Sequence, residues 1–203
     1  MLIQEIYALC MIIMIVSFLG FVVENLWIAC TKGFIDNRGM FLPFLLGYGL
    51  AVAAIYMVYG TPDKLWFFGN VWNIQNVTVR KLLYFLIVVM CICIGEMLLG
   101  LIVEKVCHFS WWNYSRIPLH ITQYTSIPTS MAFSVLITIF MDVFFQPVFR
   151  YFCSVENKIC IVSGFALFLC LVLDFLYNIH QIYKQHGIIQ RWKLETPKWK
   201  PAR

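Results

Sequence analysis

Long apolar runs separated by short polar stretches set the pattern of this chain. Five runs, residues 2–30, 41–60, 82–103, 131–152 and 159–182, match the length of about 20 residues that lets an α-helix cross a bilayer. They predict an all-α fold: a polytopic transmembrane helical bundle of about five spanning helices. The polar stretch between the third and fourth runs carries Pro118 and Pro128 and predicts an interfacial or re-entrant segment. The first run has no basic leader, is too long for a signal-peptide core and lacks a small-residue cleavage site. It is expected to remain as a helix.

Composition narrows the class. The chain is 62% hydrophobic and 12% charged, whereas soluble domains carry about 25% charged residues. The runs take more than half of 203 residues. We therefore expect one transmembrane helical domain over residues 1–183 and a basic tail over residues 184–203. Six of the fifteen basic residues, Lys184, Arg191, Lys193, Lys198, Lys200 and Arg203, lie in that tail. Lysine and arginine concentrate on the cytoplasmic side of membrane proteins. The tail is then cytoplasmic, and five spans place the N-terminus outside a multi-pass protein of the cell membrane. The same topology puts Lys32, Arg38, Lys105 and Arg116 inside, and Lys64, Arg80, Lys81, Arg150 and Lys158 outside. Trp192, Pro197, Trp199 and Pro201 alternate with the tail's basic residues, a mixture suited to anionic headgroups. The net charge of +5 thus points to the lipid bilayer and not to nucleic acid.

Candidate chemistry lies in the acids. Glu24, Glu96, Asp142 and Asp174 fall inside the runs, with basic residues only at the runs' edges. A carboxylate near mid-membrane costs about 3 kcal/mol on insertion scales, which makes these four the candidate substrate or ion path. Glu96 and Asp142 lie within about three and one residues of the centres of their runs, hence near the midplane. Glu24 and Asp174 lie toward the cytoplasmic ends, and Glu104 sits beside Lys105. Ser130, Ser134, Thr138, Asp142, Gln146 and Arg150 recur at every fourth position and share one helix face. Asp174, Tyr177, Asn178 and Gln181 form a shorter stripe. Such positions either join helices, at about 0.6 kcal/mol per hydrogen bond, or line a path.

The loops add two motifs. Asn37-Arg38-Gly39 reads as a turn, and Arg38 is the expected basic partner of Glu24, Glu104 or Asp174. Trp111, Trp112, Asn113, Tyr114 and Ser115 form the densest aromatic cluster, the composition of an interfacial belt. No HExxH, CxxC, GxSxG or GxxxxGK[ST] pattern occurs, so no catalytic, metal or cofactor site is expected.

Gly20-x3-Glu24, the Asn37-Arg38-Gly39 turn with Pro43 and Tyr48-Gly49, Glu96-x7-Glu104-Lys105 and Trp111-Trp112-Asn113-Tyr114-Ser115 follow one another in this order. From about Gly20 to Pro147 the chain resembles a family of bacterial membrane proteins, the CmpB-like, type IV group of ABC transporter permeases. The family has Trp-Asp-Tyr-Ser where this chain has Trp112-Asn113-Tyr114-Ser115, and Pro-Ile-Tyr-Gly where it has Leu46-Gly47-Tyr48-Gly49. The resemblance implies a permease-like transport subunit. With no nucleotide-binding loop in the chain, ATP would be hydrolysed by a separate ATPase subunit. The residues leave two other classes open: a structural or sensory membrane partner, such as a homo-oligomer, and a membrane-embedded enzyme acting on a lipid-linked substrate.

Overall fold

The computed structural model describes residues 2–196. Pro197, Lys198, Trp199, Lys200, Pro201 and Arg203 of the tail lie outside the described residues. In chain order the elements are α1 (Leu2–Lys32), β1 (Phe34–Asp36), α2 (Leu46–Tyr59), β2 (Trp66–Phe67), β3 (Asn70–Val71), α3 (Val77–Cys107), β4 (His120–Thr122) and β5 (Thr125–Ser126). There follow α4 (Ile127–Ile139), a π-helical turn (Phe140–Phe144), α5 (Phe145–Cys153), α6 (Lys158–Gln185) and β6 (Lys193–Glu195). α4, the π turn and α5 form one rod, Ile127–Cys153. This rod, α1, α3 and α6 are each long and apolar enough to cross a membrane. The protein is an all-α polytopic bundle, and its strands form three small two-stranded ribbons.

Helix ends follow local chemistry. The Asn76 and Asn157 side chains cap α3 and α6 by accepting the N–H groups of Val79 and Ile159, and Ser126 caps α4 through Thr129. Gly33, at φ 77°, ends α1 by donating its N–H to Ile28 and Ala29.

The chain divides into two compact units, one of residues up to Ala51 together with those from Phe152 onward, the other Val52–Tyr151. In the first unit α1 and α6 run parallel. Near their N-termini Tyr7 stacks edge-on against Phe165 and Phe152, and Gly164 lets the Tyr7 ring lie against α6. At their other ends Asp174 of α6 accepts the Phe41 and Leu42 N–H groups of the loop that follows α1. β1 and β6 then pair antiparallel, Ile35 opposite Leu194.

The second of the five expected spans is built differently from the other four. α2 has 14 residues, about 21 Å at 1.5 Å per residue, against a hydrocarbon core of about 30 Å. Residues 41–45, which precede it, are non-helical. Leu45 donates its N–H to the carbonyl of Ser17, midway along α1, so α2 begins at mid-depth of its neighbour. Gly49 then lies directly against the Ile13 carbonyl and Ser17, where no side chain fits.

In the second unit α3 packs against α4. One face of α3 carries Tyr84, Val88, Glu96 and Gly100, at multiples of four. The opposite face carries Leu82, Leu86, Met90, Ile94, Leu98 and Ile102, all exposed and suited to lipid. Both faces are largely apolar, so hydropathy does not mark which is inward.

Candidate functional site

The segment between α3 and α4 is re-entrant. Gln123 donates to Glu104 at 3.1 Å, Tyr124 lies against Gly100, and Thr125 donates to Glu96 at 2.6 Å. Three consecutive residues therefore meet α3 at positions 104, 100 and 96, a descent of about 12 Å along its axis. A Cβ at Gly100 would collide with the Tyr124 ring. The aromatic motif holds this segment from behind. Trp112 donates its indole N–H to the Tyr124 carbonyl at 2.7 Å, and the Tyr114 N–H bonds the Gln123 carbonyl at 2.8 Å. Asn113 accepts the Ser115 N–H at 2.8 Å, an Asx turn in which amide and carboxylate serve equally as acceptor. The chain's departure from Trp-Asp-Tyr-Ser leaves that contact intact. Trp111 stacks near Phe109.

At the foot of the descent lies Glu96. Its Oε2 accepts from Thr125 at 2.6 Å and from Ser130 at 2.8 Å, and those two hydroxyl oxygens are 2.9 Å apart. Both hydroxyl residues are fully buried, and Ser134, one turn on from Ser130, donates to its carbonyl at 2.6 Å. Among the described residues Glu96 has no ion pair; its polar neighbours are hydroxyls.

Glu24 is held in the opposite manner. Arg38 Nε and Nη2 both reach Oε2 at 2.8 Å, and the Tyr48 hydroxyl donates to Oε1 at 3.0 Å. Tyr48 and Gly49, retained from the Pro-Ile-Tyr-Gly pattern, are the residues of that element that touch α1. The turn itself has positive φ at Arg38 and Gly39, 51° and 84°, closed by the Met40 N–H on the Asn37 carbonyl at 2.9 Å. An arginine in the left-handed region is strained. Here it is held by Glu24 at one end and by the Asp36 carboxylate on its backbone N–H at the other. The partner foreseen for Arg38 is thus Glu24. Glu104 bonds Gln123 instead, and Asp174 takes the two loop N–H groups and Asn178.

The tail completes this loop. Arg191 donates to the Asn37 side chain, the Gly39 carbonyl and Asn178, and its guanidinium lies 3.4 Å from the centre of the Phe41 ring. As far as Thr196 the tail is a folded part of the first unit and not a free strand for headgroups. Its charge spacing could not show this, because the partners lie about 150 residues away in sequence.

Asp142 departs furthest from expectation. Lys81 Nζ pairs with its Oδ2 at 2.7 Å, while Oδ1 and the hydroxyl of Thr138, one turn back, are buried without a hydrogen-bond partner. Since Ser130 meets Glu96 and Asp142 meets Lys81 on the same antiparallel helix pair, the two acids are twelve residues apart along the rod, about 18 Å. They do not share the midplane. Centring each run in the membrane separately concealed the offset, because α3 and the rod both extend beyond their apolar runs. The π turn at Phe140–Phe144 inserts an extra residue, so the every-fourth stripe does not continue in register through Gln146 to Arg150. Two acids of the runs thus meet cations, Arg38 at Glu24 and the half-exposed Lys81 at Asp142.

The chain belongs to the family described as Putative ABC-transporter type IV, which matches residues 11–179. No curated protein and no solved structure matches it. Family and helices together make it a multi-pass membrane protein of the transport type.

Proposed function

We propose that this protein is a permease-like subunit that carries a proton, a cation or a cationic solute, with Glu96 as the acid that exchanges the charge. The supporting observation is the contrast among the buried acids. Glu24 and Asp142 are neutralised by Arg38 and Lys81. The Glu24–Arg38 pair is largely buried, and breaking such a pair leaves a costly lone charge; Lys81, 42% exposed, answers Asp142 from the surface. Glu96 is bound by two hydroxyls that can donate or accept by simple rotation. Such a carboxyl can change its charge without disrupting a pair. Glu24, Asp142 and Asp174 then hold the bundle's polar faces in place. ATP hydrolysis, if it drives the movement, falls to a separate subunit.

The β1–β6 ribbon gathers Lys32, Arg38, Arg191 and Lys193 at one end of the first unit. We assign that end to the cytoplasm on the distribution of basic residues, which places the N-terminus outside. Leu194→Cys, at an exposed ribbon position, should react with an impermeant maleimide only after permeabilisation, above the wild-type background. Reaction in intact cells reverses the topology.

The functional test is flux. Purified protein in liposomes loaded with a pH-reporting dye, or given a labelled monovalent cation, should show movement that Glu96→Gln abolishes while the variant remains folded. Equal flux in both removes Glu96 from the path and favours a structural partner role.

A further inference from the structure

Three oxygens form a closed triangle at the foot of the re-entrant segment: Glu96 Oε2, Thr125 Oγ1 and Ser130 Oγ, with sides of 2.6, 2.8 and 2.9 Å. Each side is of hydrogen-bond length, and each hydrogen bond uses one proton. The two hydroxyls bring two protons for three contacts. If both are donated to an ionised carboxylate, the Thr125–Ser130 contact holds two oxygens close together with no hydrogen between them. One further proton, on Oε2, fills every side: the carboxyl donates to one hydroxyl, that hydroxyl to the other, and the last one back to the carboxyl.

A bound calcium-sized cation does not give this shape. It holds oxygens at about 2.4 Å, so ligands at right angles around it lie about 3.4 Å apart, wider than every side of the triangle. The smaller Mg2+, at about 2.05 Å, sets them about 2.9 Å apart, whereas two sides here are 2.6 and 2.8 Å. Among the described residues no basic side chain pairs with the carboxylate; its hydrogen-bond partners, Thr125 and Ser130, are hydroxyls and fully buried.

We infer that Glu96, Thr125 and Ser130 form a proton-binding site, and that this structure is its proton-loaded form. The inference deepens the proposed function by choosing the proton from its list of cargoes, and it rests on that reading only for what the proton is used for.

Infrared difference spectroscopy of the full-length protein in liposomes at neutral pH tests it, with wild type against Glu96→Gln. The wild type should show the C=O stretch of a protonated carboxyl that moves down in D2O and is missing from the variant. Carboxylate bands alone in the difference spectrum would overturn the proposal. Should Glu96→Gln not fold, Thr125→Val serves instead: the same stretch should shift as one hydrogen bond is lost, and an unmoved spectrum counts against the triangle. Replacing choline with sodium in the buffer should leave the band in place, whereas its loss would reassign the site to a cation. The protonated band without proton flux in liposomes keeps this inference and removes the transport reading. Flux without the band does the reverse.

Discussion

Glu24 and Glu96 occupy comparable places in the two units. Each lies on a long helix, four residues from a glycine, Gly20 or Gly100, that admits a tyrosine ring, Tyr48 or Tyr124. Each is also bonded from the start of a shorter helix that follows a non-helical stretch packed on the long one, by Tyr48 of α2 or Ser130 of α4. They differ in what answers the charge. At Glu24 it is a guanidinium fixed by a strained turn; at Glu96 it is a pair of hydroxyls. An ion pair of that kind works as a latch, because separating it in a low-dielectric setting is expensive. A hydroxyl pair leaves the carboxyl free to take up and release a proton. The same local architecture thus supports a clasp in one unit and, on our reading, an exchange site in the other.

Arg38→Ala should have the largest effect and would break the comparison if it did not. The Arg38 and Glu24 side chains are 12% and 26% exposed, so removing the cation should cost about 3 kcal/mol, the lower end for a buried pair. Thermal unfolding in detergent reads this, and Glu24→Gln in the same chain should restore most of the loss. Next come the glycines. Gly100→Ala pushes the Tyr124 ring out of the re-entrant segment and should cost about 2 kcal/mol through overpacking. Gly47→Ala on α2, where nothing lies within 4 Å, should be neutral or stabilise by up to about 1 kcal/mol, as alanine is the better helix former. Equal melting temperatures for the two variants would show that close approach at Gly100 is not required. Glu96→Gln should change stability by under about 1 kcal/mol, since a neutral amide, like the protonated carboxyl, offers the two hydroxyls both a donor and an acceptor. That near-silence, set beside lost flux, is what separates the exchange site from the clasp.

Much of the bundle was legible in the sequence because hydropathy is a local property. Runs of about 20 apolar residues form helices in lipid whatever else surrounds them, since backbone groups there must be bonded within the segment. The Asn37-Arg38-Gly39 turn was readable for a similar reason, being local, whereas Glu24, 14 residues from Arg38, was one of three acids offered as its partner. α2 was not, because its apolar run looks the same whether its first residues are helical or extended. Lys81 was set on the outer loop as a surface charge, although it turns inward to Asp142.

What tertiary structure alone decided is which polar groups meet. Thr125 and Ser126 sit in a stretch whose polarity suggested an interfacial or re-entrant segment without saying what it meets; they are fully buried, and Thr125 bonds Glu96 of α3. Arg191 in the tail closes a loop begun at Asn37, 154 residues earlier. No periodicity links residues brought together by a chain reversal, since the spacing along the chain carries no trace of the approach in space. Composition could therefore determine that this protein spans a membrane with acids inside it. Only the return of the loops against the helices decided which acid met a guanidinium or an ammonium and which met hydroxyls.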